Sequence, residues 1–506
     1  MGAAMRKHIA FASMCIGLFI AQLDIQIVSA SLNEIGGGLS AGKDEMAWIQ
    51  TSYLIAEIIV IPLSGWLSRV FSTRWLFTLS AGVFTAMSVA CGLAWNIQSM
   101  IVFRALQGVA GASMIPLVFT TAFIYYQGKE LGLAAAVVSA LASLSPTLGP
   151  TLGGWITDNL EWRWLFYINI LPGLYLVLSI PLLVDIDKPN LALLKNADYP
   201  GIMLLALTLG CLEYSLEEGA RWGWFDDSTI ILTSCLTLVC ALLFTIRTLS
   251  ISNPIMDLYA FKDKNFSLGC FFSFAGGVGI FSTVYLTPIF LGQVRGLSAM
   301  DIGLAVCTTG IFQILSVPIY LYLSKRINLR WLLMVGLGGF AFSMFLFTPI
   351  THQWGWQELL LPQAVRGASQ QFAMAPIVTL TLGGIPKERL KLASGVFNLT
   401  RNLGGAIGIA LCGTILNSRI NFHYQRIGEK MVSVPQAVNE FMTRYTSIFT
   451  QGGSDTTAGP LAATKLLGQM VMLEAQTMAF SDAFLLISLL LFMAFALVPA
   501  MGRKQL

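Results

Sequence analysis

The sequence predicts an all-α polytopic membrane protein of about fourteen transmembrane helices, built as two parallel six-helix halves plus two inserted helices. Three observations carry that prediction. Of 506 residues 56% are hydrophobic and only 11% charged, with a mean hydropathy of +0.72, whereas soluble domains are roughly 25% charged. Apolar stretches of about twenty residues, the length that crosses a bilayer as a helix, recur along the whole chain. One residue pattern also returns at a fixed distance: Pro62-x4-Leu67-Ser68-Arg69-x4-Arg74-Trp75-Leu76 reappears as Pro318-x4-Leu323-Ser324-Lys325-x4-Arg330-Trp331-Leu332, each position 256 residues on.

The apolar stretches fall near 9–33, 48–68, 75–95, 99–124, 131–157, 163–184, 199–217, 228–249, 266–291, 300–323, 331–350, 357–383, 392–416 and 478–500. The first contains one formally charged side chain, Asp24, flanked by Gln22 and Gln26. At about 1.5 Å per residue, Asp24 lies about 22 Å along from Ile9, inside a hydrocarbon core about 30 Å thick. A carboxylate there costs at least about 2.5 kcal/mol and belongs against protein or trapped water. A carboxyl that exchanges a proton at that depth is the chemistry of a proton-driven carrier. Arg6 and Lys7 before this stretch resemble the start of a signal peptide, but the run is long and Ser29-Ala30-Ser31 is a poor cleavage site, so a retained helix is expected.

An even number of spans puts both termini on one side. The loops and tails of that side carry eighteen Lys and Arg and the short opposite loops four (Lys43, Arg163, Arg221, Arg295), which places both termini in the cytoplasm. The 256-residue repeat joins spans two and three to spans ten and eleven. A looser echo, Arg104-x2-Gln107-Gly108 against Arg366-Gly367-x2-Gln370, joins spans four and twelve at an offset of about 262. Both shifts are eight spans with unchanged orientation. Parallel halves separated by an extra pair explain them, and in such architectures the transport site lies between the halves. The domains are therefore set at 1–190, 191–255 for the inserted pair (spans seven and eight), and 256–506. The last contains a long external connection, 417–477, with a polar tip at Gly452–Thr457; its first part, NSRINFHYQRIGEKMV, is able to continue a helix beyond the membrane.

Several function classes are excluded. The eight cysteines all lie in apolar runs without a CxxC pair, and His8, His352 and His423 are too scattered for a metal site. There is no H-E-x-x-H, no convincing nucleophile–base pair and no basic tract suited to nucleic acid, so neither an enzyme nor a nucleic-acid binder is expected, and no cofactor or metal is called for.

The remaining motifs sit on these spans. Gly65-Trp66-Leu67-Ser68-Arg69-Val70-Phe71-Ser72-Thr73-Arg74 resembles the loop two–three signature of the major facilitator superfamily: Gly65, Leu67 and Arg74 fit, while Arg69 replaces Asp and Ser72 replaces Gly. The resemblance makes this turn a cytoplasmic gate; a plain positive-inside turn accounts for Arg69 equally well. Arg104-x2-Gln107-Gly108 resembles the superfamily's R-x-x-q-G motif, and an arginine at that depth must pair or snorkel. Ser145-Pro146-Thr147-Leu148-Gly149-Pro150-Thr151-Leu152-Gly153-Gly154 resembles the antiporter signature g-x-x-x-G-P-x-x-G-G. Prolines and glycines there remove hydrogen bonds and bulk, which suits a hinge or a close-packed helix. Leu23-Asp24-x2-Ile27-Val28, Trp162-Arg163-Trp164-x-Phe166-x2-Asn169-x2-Pro172-Gly173 and Ala393-Ser394-Gly395-x-Phe397-Asn398-x-Thr400-Arg401-x-Leu403-Gly404-Gly405 resemble the fourteen-helix drug:proton antiporters. In the first of these, Gln26 replaces Thr and Ser29 replaces Asn.

That resemblance covers nearly the whole chain and implies a major facilitator fold and a proton-coupled antiporter that exports hydrophobic or amphipathic compounds. With the extended segment before the last span, it also implies the inner-membrane subunit of a tripartite efflux pump, with a periplasmic membrane-fusion adaptor and an outer-membrane channel as partners. A proton-coupled importer on the same fold is the alternative, which Gly149, Pro150, Gly153 and Gly154 disfavour. Proton coupling is assigned to Asp24, Glu57 and Arg104, with Glu57 either a second protonatable group or a partner for Arg104. Gln22, Gln26, Gln107, Asn398 and Arg401 are assigned to the substrate cavity, Arg401 also being free to snorkel, and Gly65, Arg69 and Arg74 to the cytoplasmic gate. Glu213, on the inserted pair, is open to a structural or a transport role.

Overall fold

A computed structural model describes residues 3–195, 197–251, 254–451 and 458–502. Fourteen of the described helices follow the expected spans: α1 (Ala3–Ala30), α2 (Lys43–Phe71), α3 (Thr73–Gly92), α4 (Ile97–Tyr125), α5 (Gly128–Asn159), α6 (Ile170–Leu183), α7 (Tyr199–Gly219), α8 (Ser228–Ser250), α9 (Lys264–Ile289), α10 (Ala299–Ser324), α11 (Leu329–Leu346), α12 (Trp356–Leu382), α13 (Lys387–Val432) and α14 (Ala458–Leu497). Short polar side chains start them. Asn96, Asp198, Asp227, Asp263, Ser298 and Asn328 each accept a backbone N–H in the first turn of the helix that follows, satisfying donors that no earlier turn can reach. Counting Trp164–Leu183 as one span, thirteen of the described helices are long and apolar enough to cross a membrane. The other, α12, has 27 residues, but Gln363, Arg366, Gln370 and Gln371 lower its hydropathy, and all four are fully buried.

The packing repeats. Within the first six helices α1 lies on α5, α2 and α3 on α4, and α3 on α6; within the last six α9 lies on α13, α10 and α11 on α12, and α11 on α14. The two sets meet along α5–α10 and α2–α13, while α7 and α8 pack on each other and α7 on α2.

The structure shifts the register of the looser echo. A side-chain carbon on Gly108 would meet the Tyr53 carbonyl oxygen, and one on Gly367 the Thr309 carbonyl oxygen; Tyr53 and Thr309 are themselves 256 apart. The two glycines therefore occupy matching places at an offset of 259, which matches Arg104 with Gln363 and Gln107 with Arg366. The motif reads R-x-x-Q-G in one half and Q-x-x-R-G in the other, and the sequence match at 262 is one turn out of register.

Two spans depart from expectation. The sixth is broken: a single turn, Trp164–Tyr167, precedes α6, and Asn169 stands at the join. The segment 417–477, expected as a connection with a helical start, is helical almost throughout its described part. The continuation of α13 does form, running to Val432; the helix Pro435–Gln451 follows, and α14 begins at Ala458, twenty residues before the expected span. Asp482 on α14 ties the extension down by accepting from Arg419 (2.5 Å) and pairing with His423 (2.8 Å). The tip at Gly452–Thr457 lies outside the described residues, as do Arg503 and Lys504 of the charge count.

Candidate functional site

Asp24 is buried to 1% exposure in the middle of the first six helices. Its Oδ2 accepts from Arg104 Nη1 at 2.5 Å, and its Oδ1 from Asn169 Nδ2 at 2.7 Å and Gln107 Nε2 at 3.1 Å. Gln107 and Asn169 also donate to Ser88 Oγ at 2.7 and 3.0 Å. Arg104 Nη1 bonds Gln107 Oε1 (2.8 Å), Nε bonds the Ile49 carbonyl (3.3 Å), and the guanidinium lies 4.3 Å over the Tyr53 ring. Helices α1, α2, α3, α4 and the break before α6 thus converge on one carboxylate.

This placement decides between open readings and moves one residue: Arg104 pairs with Asp24 and does not snorkel, Glu57 is not its hydrogen-bonding partner among the described contacts, and Gln107, grouped with the substrate cavity, bonds Asp24. Asn169 and Ser88 are site residues that the sequence did not single out. The signal for Asn169 in the sequence is an amide in an otherwise apolar run.

Glu57 lies one turn along α2 from Tyr53 and is 2% exposed. Its Oε1 accepts from Asn402 Nδ2 across the seam at 3.4 Å, and Arg401, Arg104 and Asp24 are all within electrostatic reach. Arg401 lines a narrow cavity between the two sets of helices, shared with Ser143 of α5, Phe281 of α9, Met374 of α12 and Phe397 of α13. Its guanidinium sits 5.5 Å from the Phe119 ring, so it faces the cavity and not the interface. Asn398, three residues before it on α13, is fully buried and donates to the Ser394 carbonyl. Gln22 is buried with both side-chain polar atoms unpartnered, and Gln26 packs on Gly149; neither lines this cavity. A larger groove of about 780 Å³ runs between α1 and α5, apolar along Phe11, Cys15, Phe19 and Leu133, with His8, Tyr126 and Glu130 at the end nearer the start of α1.

The glycines of α5 hold it against α1. A side-chain carbon at Gly149 would collide with Gln26, and one at Gly153 would lie 2.9 Å from the Ile27 carbonyl. Gly154 is buried, and Pro146 and Pro150 sit inside a helix that continues to Asn159. From the neighbouring face of α5, Thr151 Oγ1 donates to the Gly303 carbonyl of α10 at 2.7 Å. This short stretch therefore links the helix of Asp24 to the other half.

Near the end of α2, Gly65 lies against the backbone of Lys391 on α13, and Lys391 Nζ pairs with Asp187 at 2.6 Å. Asp187 also accepts the Thr73 N–H at 3.0 Å, and Arg74 pairs with Asp185 at 2.6 Å. Arg69 is half-buried in the last turn of α2, without an acidic partner among the described residues. Ser72 has φ 70° and ψ 156°, a conformation essentially reserved for glycine, which gives a physical reason for glycine at that place in the loop signature.

A family model described as Major Facilitator Superfamily matches residues 14–423. The colistin resistance protein EmrB of Acinetobacter baumannii is 34% identical over 98% of this chain and 96% of its own length. The multidrug export protein EmrB of Escherichia coli K12 is 29% identical over 96% and 94%, and the fatty acid resistance protein FarB of Neisseria gonorrhoeae 28% over 85% and 84%. Among solved structures, the proton:xylose symporter XylE superposes with a TM-score of 0.62 at 12% identity, covering 99% of this chain and 97% of the other.

Proposed function

Given that the chain belongs to the major facilitator superfamily, we propose that it is a proton-coupled antiporter exporting hydrophobic or amphipathic toxic compounds, as its relatives' names describe for multidrug, colistin and fatty acid resistance. The observation that carries the proton assignment is the fully buried pair Asp24–Arg104 with its amide collar. Protonating Asp24 removes the carboxylate charge that answers Arg104, leaving a cation bonded to a neutral acid, which is weaker than the ion pair, and leaves Arg104 free to re-pair. One candidate is Glu57, on the far side of Tyr53. The contacts of α1 with Gly149 and Gly153, and of Thr151 with Gly303, give that change a mechanical route to the seam between the halves. A proton entering down 100 mV supplies about 2.3 kcal/mol, comparable with one such bond.

The substrate path runs through the cavity at Arg401 and Phe397, with Asn398 behind it; Gln22 and Gln26 belong to the wall around Asp24. Gly65, Asp187 and Lys391 form the cytoplasmic closure, with Arg74 and Arg69 flanking it. The halves run 1–190 and 256–506, a division supported by the repeated packing order. The lysine and arginine bias supports an inner-membrane protein with both termini cytoplasmic. The helical hairpin of α13, Pro435–Gln451 and α14 then projects on the opposite side, where a membrane-fusion adaptor and outer-membrane channel would be engaged. Uptake of a lipophilic dye such as ethidium into everted vesicles, driven by an imposed proton gradient, tests the reading: native chain transports and Asp24→Asn does not.

A further inference from the structure

The second half carries a buried cation that no acid answers. Arg366 of α12 is 0% exposed. Its Nη1 donates to Gln363 Oε1 at 3.1 Å, while Nε and Nη2 are buried without a hydrogen-bond partner among the described residues. Gln363 Oε1 also accepts from Thr309 of α10. The side-chain nitrogens of Gln363 and Gln370 are buried and unpartnered too. These three residues are spaced three and four apart, so they share one face of α12. Four N–H-bearing nitrogens with nothing to accept them thus gather around one positive charge.

The helices packed on α12 offer no counter-charge. Neither α9 nor α11 contains an Asp or Glu, and every acid of α5, α10 and α13 lies in an exposed end turn. Glu358 of α12 itself is exposed, about 12 Å along the helix from Arg366, and accepts the Gly355 N–H. The matching place in the first half is filled differently. There Ser88 lies beside Asp24 of α1; its counterpart 256 residues on is Met344, and α9 brings Thr283 to it, the hydroxyl 3.3 Å from the Met344 sulfur. One turn further on α9, Thr287 is buried with its hydroxyl unpartnered. Water satisfies spare donors but not a charge, and a buried ion left unpaired is strongly unfavourable.

We infer that Arg366, with the amides of Gln363 and Gln370, binds a monovalent anion: a halide ion or the carboxylate headgroup of an organic anion. Both only accept hydrogen bonds, and both carry the single negative charge that the surrounding helices do not supply. The buried arginine of the first half is answered by an acid of the chain, that of the second by an ion that comes and goes. The assignment is independent of the direction of transport and of the proton coupling.

Melting of the purified full chain in detergent tests it, with sodium gluconate exchanged for sodium chloride or sodium propionate at constant ionic strength. A ligand bound by the folded state alone raises the midpoint saturably. The native chain should show such a rise with at least one of the two salts. A rise with chloride identifies a halide site, and a rise with propionate alone identifies a carboxylate site. Arg366→Gln should melt at one temperature in all three salts, whereas Arg401→Gln, which removes the other buried guanidinium of this half, should keep the native rise. Gln370→Leu, which leaves the charge in place, should need at least threefold more anion for the same rise. If Arg366→Gln does not fold, this last variant decides. A native midpoint that is the same in all three salts would overturn the inference, as would an anion response that neither Arg366→Gln nor Gln370→Leu alters.

Discussion

Replacing Asp24 with asparagine keeps size and shape while deleting the charge. In the structure Asp24 answers three donors from Arg104, Gln107 and Asn169, at 2.5, 3.1 and 2.7 Å. Asparagine has one acceptor oxygen for them, and its NH₂ must face at least one donor. Arg104 is 0% exposed, with Nη2 already unpartnered, so the variant buries an uncompensated guanidinium. Removing one partner of such a pair costs about 3–5 kcal/mol. Asp24→Asn should thus lose both gradient-driven transport and thermal stability. The double variant Asp24→Asn/Arg104→Gln separates the two effects: without the orphaned charge, most of the stability should return while proton-driven transport stays absent. Dye uptake into everted vesicles and melting in detergent measure both. Full gradient-driven transport by Asp24→Asn would refute the proton assignment, and a double variant no more stable than the single would refute the electrostatic account of the loss.

Ser72→Gly should stabilise the chain by about 1–3 kcal/mol through relief of its backbone conformation, offset by a few tenths for the lost cap on Trp75; a melting curve shows the sign. Gly153→Ala, which forces a methyl group to 2.9 Å from the Ile27 carbonyl, should cost about 1–3 kcal/mol and reduce transport more than expression, read from uptake normalised to protein in the membrane. Lys391→Ala removes the 2.6 Å pair with Asp187 and should loosen this closure, seen as faster thiol labelling of a cysteine placed at the buried Ser68 beside it. Asp482→Asn weakens the anchors to Arg419 and His423; proteolysis of the hairpin should accelerate, and resistance in cells should fall several-fold while vesicle uptake stays within twofold.

The sequence by itself located the apolar spans and their order, because crossing lipid forces long apolar helices, and its lysine and arginine bias supports one orientation for them. It also located Asp24, Glu57, Arg104 and Arg401, since an ionisable residue in such a helix stands out against its neighbours. Which of these meet was a matter of helix packing. Arg104 had two acids to choose from, and only the crossing of α1 with α4, together with the broken sixth span that brings in Asn169, gave it Asp24. The register of the second half depended on which glycine touches which carbonyl, so that Arg366 answers to Gln107 and not to Arg104. The helical hairpin beyond α13 depended likewise on contacts between residues far apart in the chain, such as Asp482 with Arg419. Spacing along one helix says which residues share a face; what that face meets is decided by the neighbouring helices.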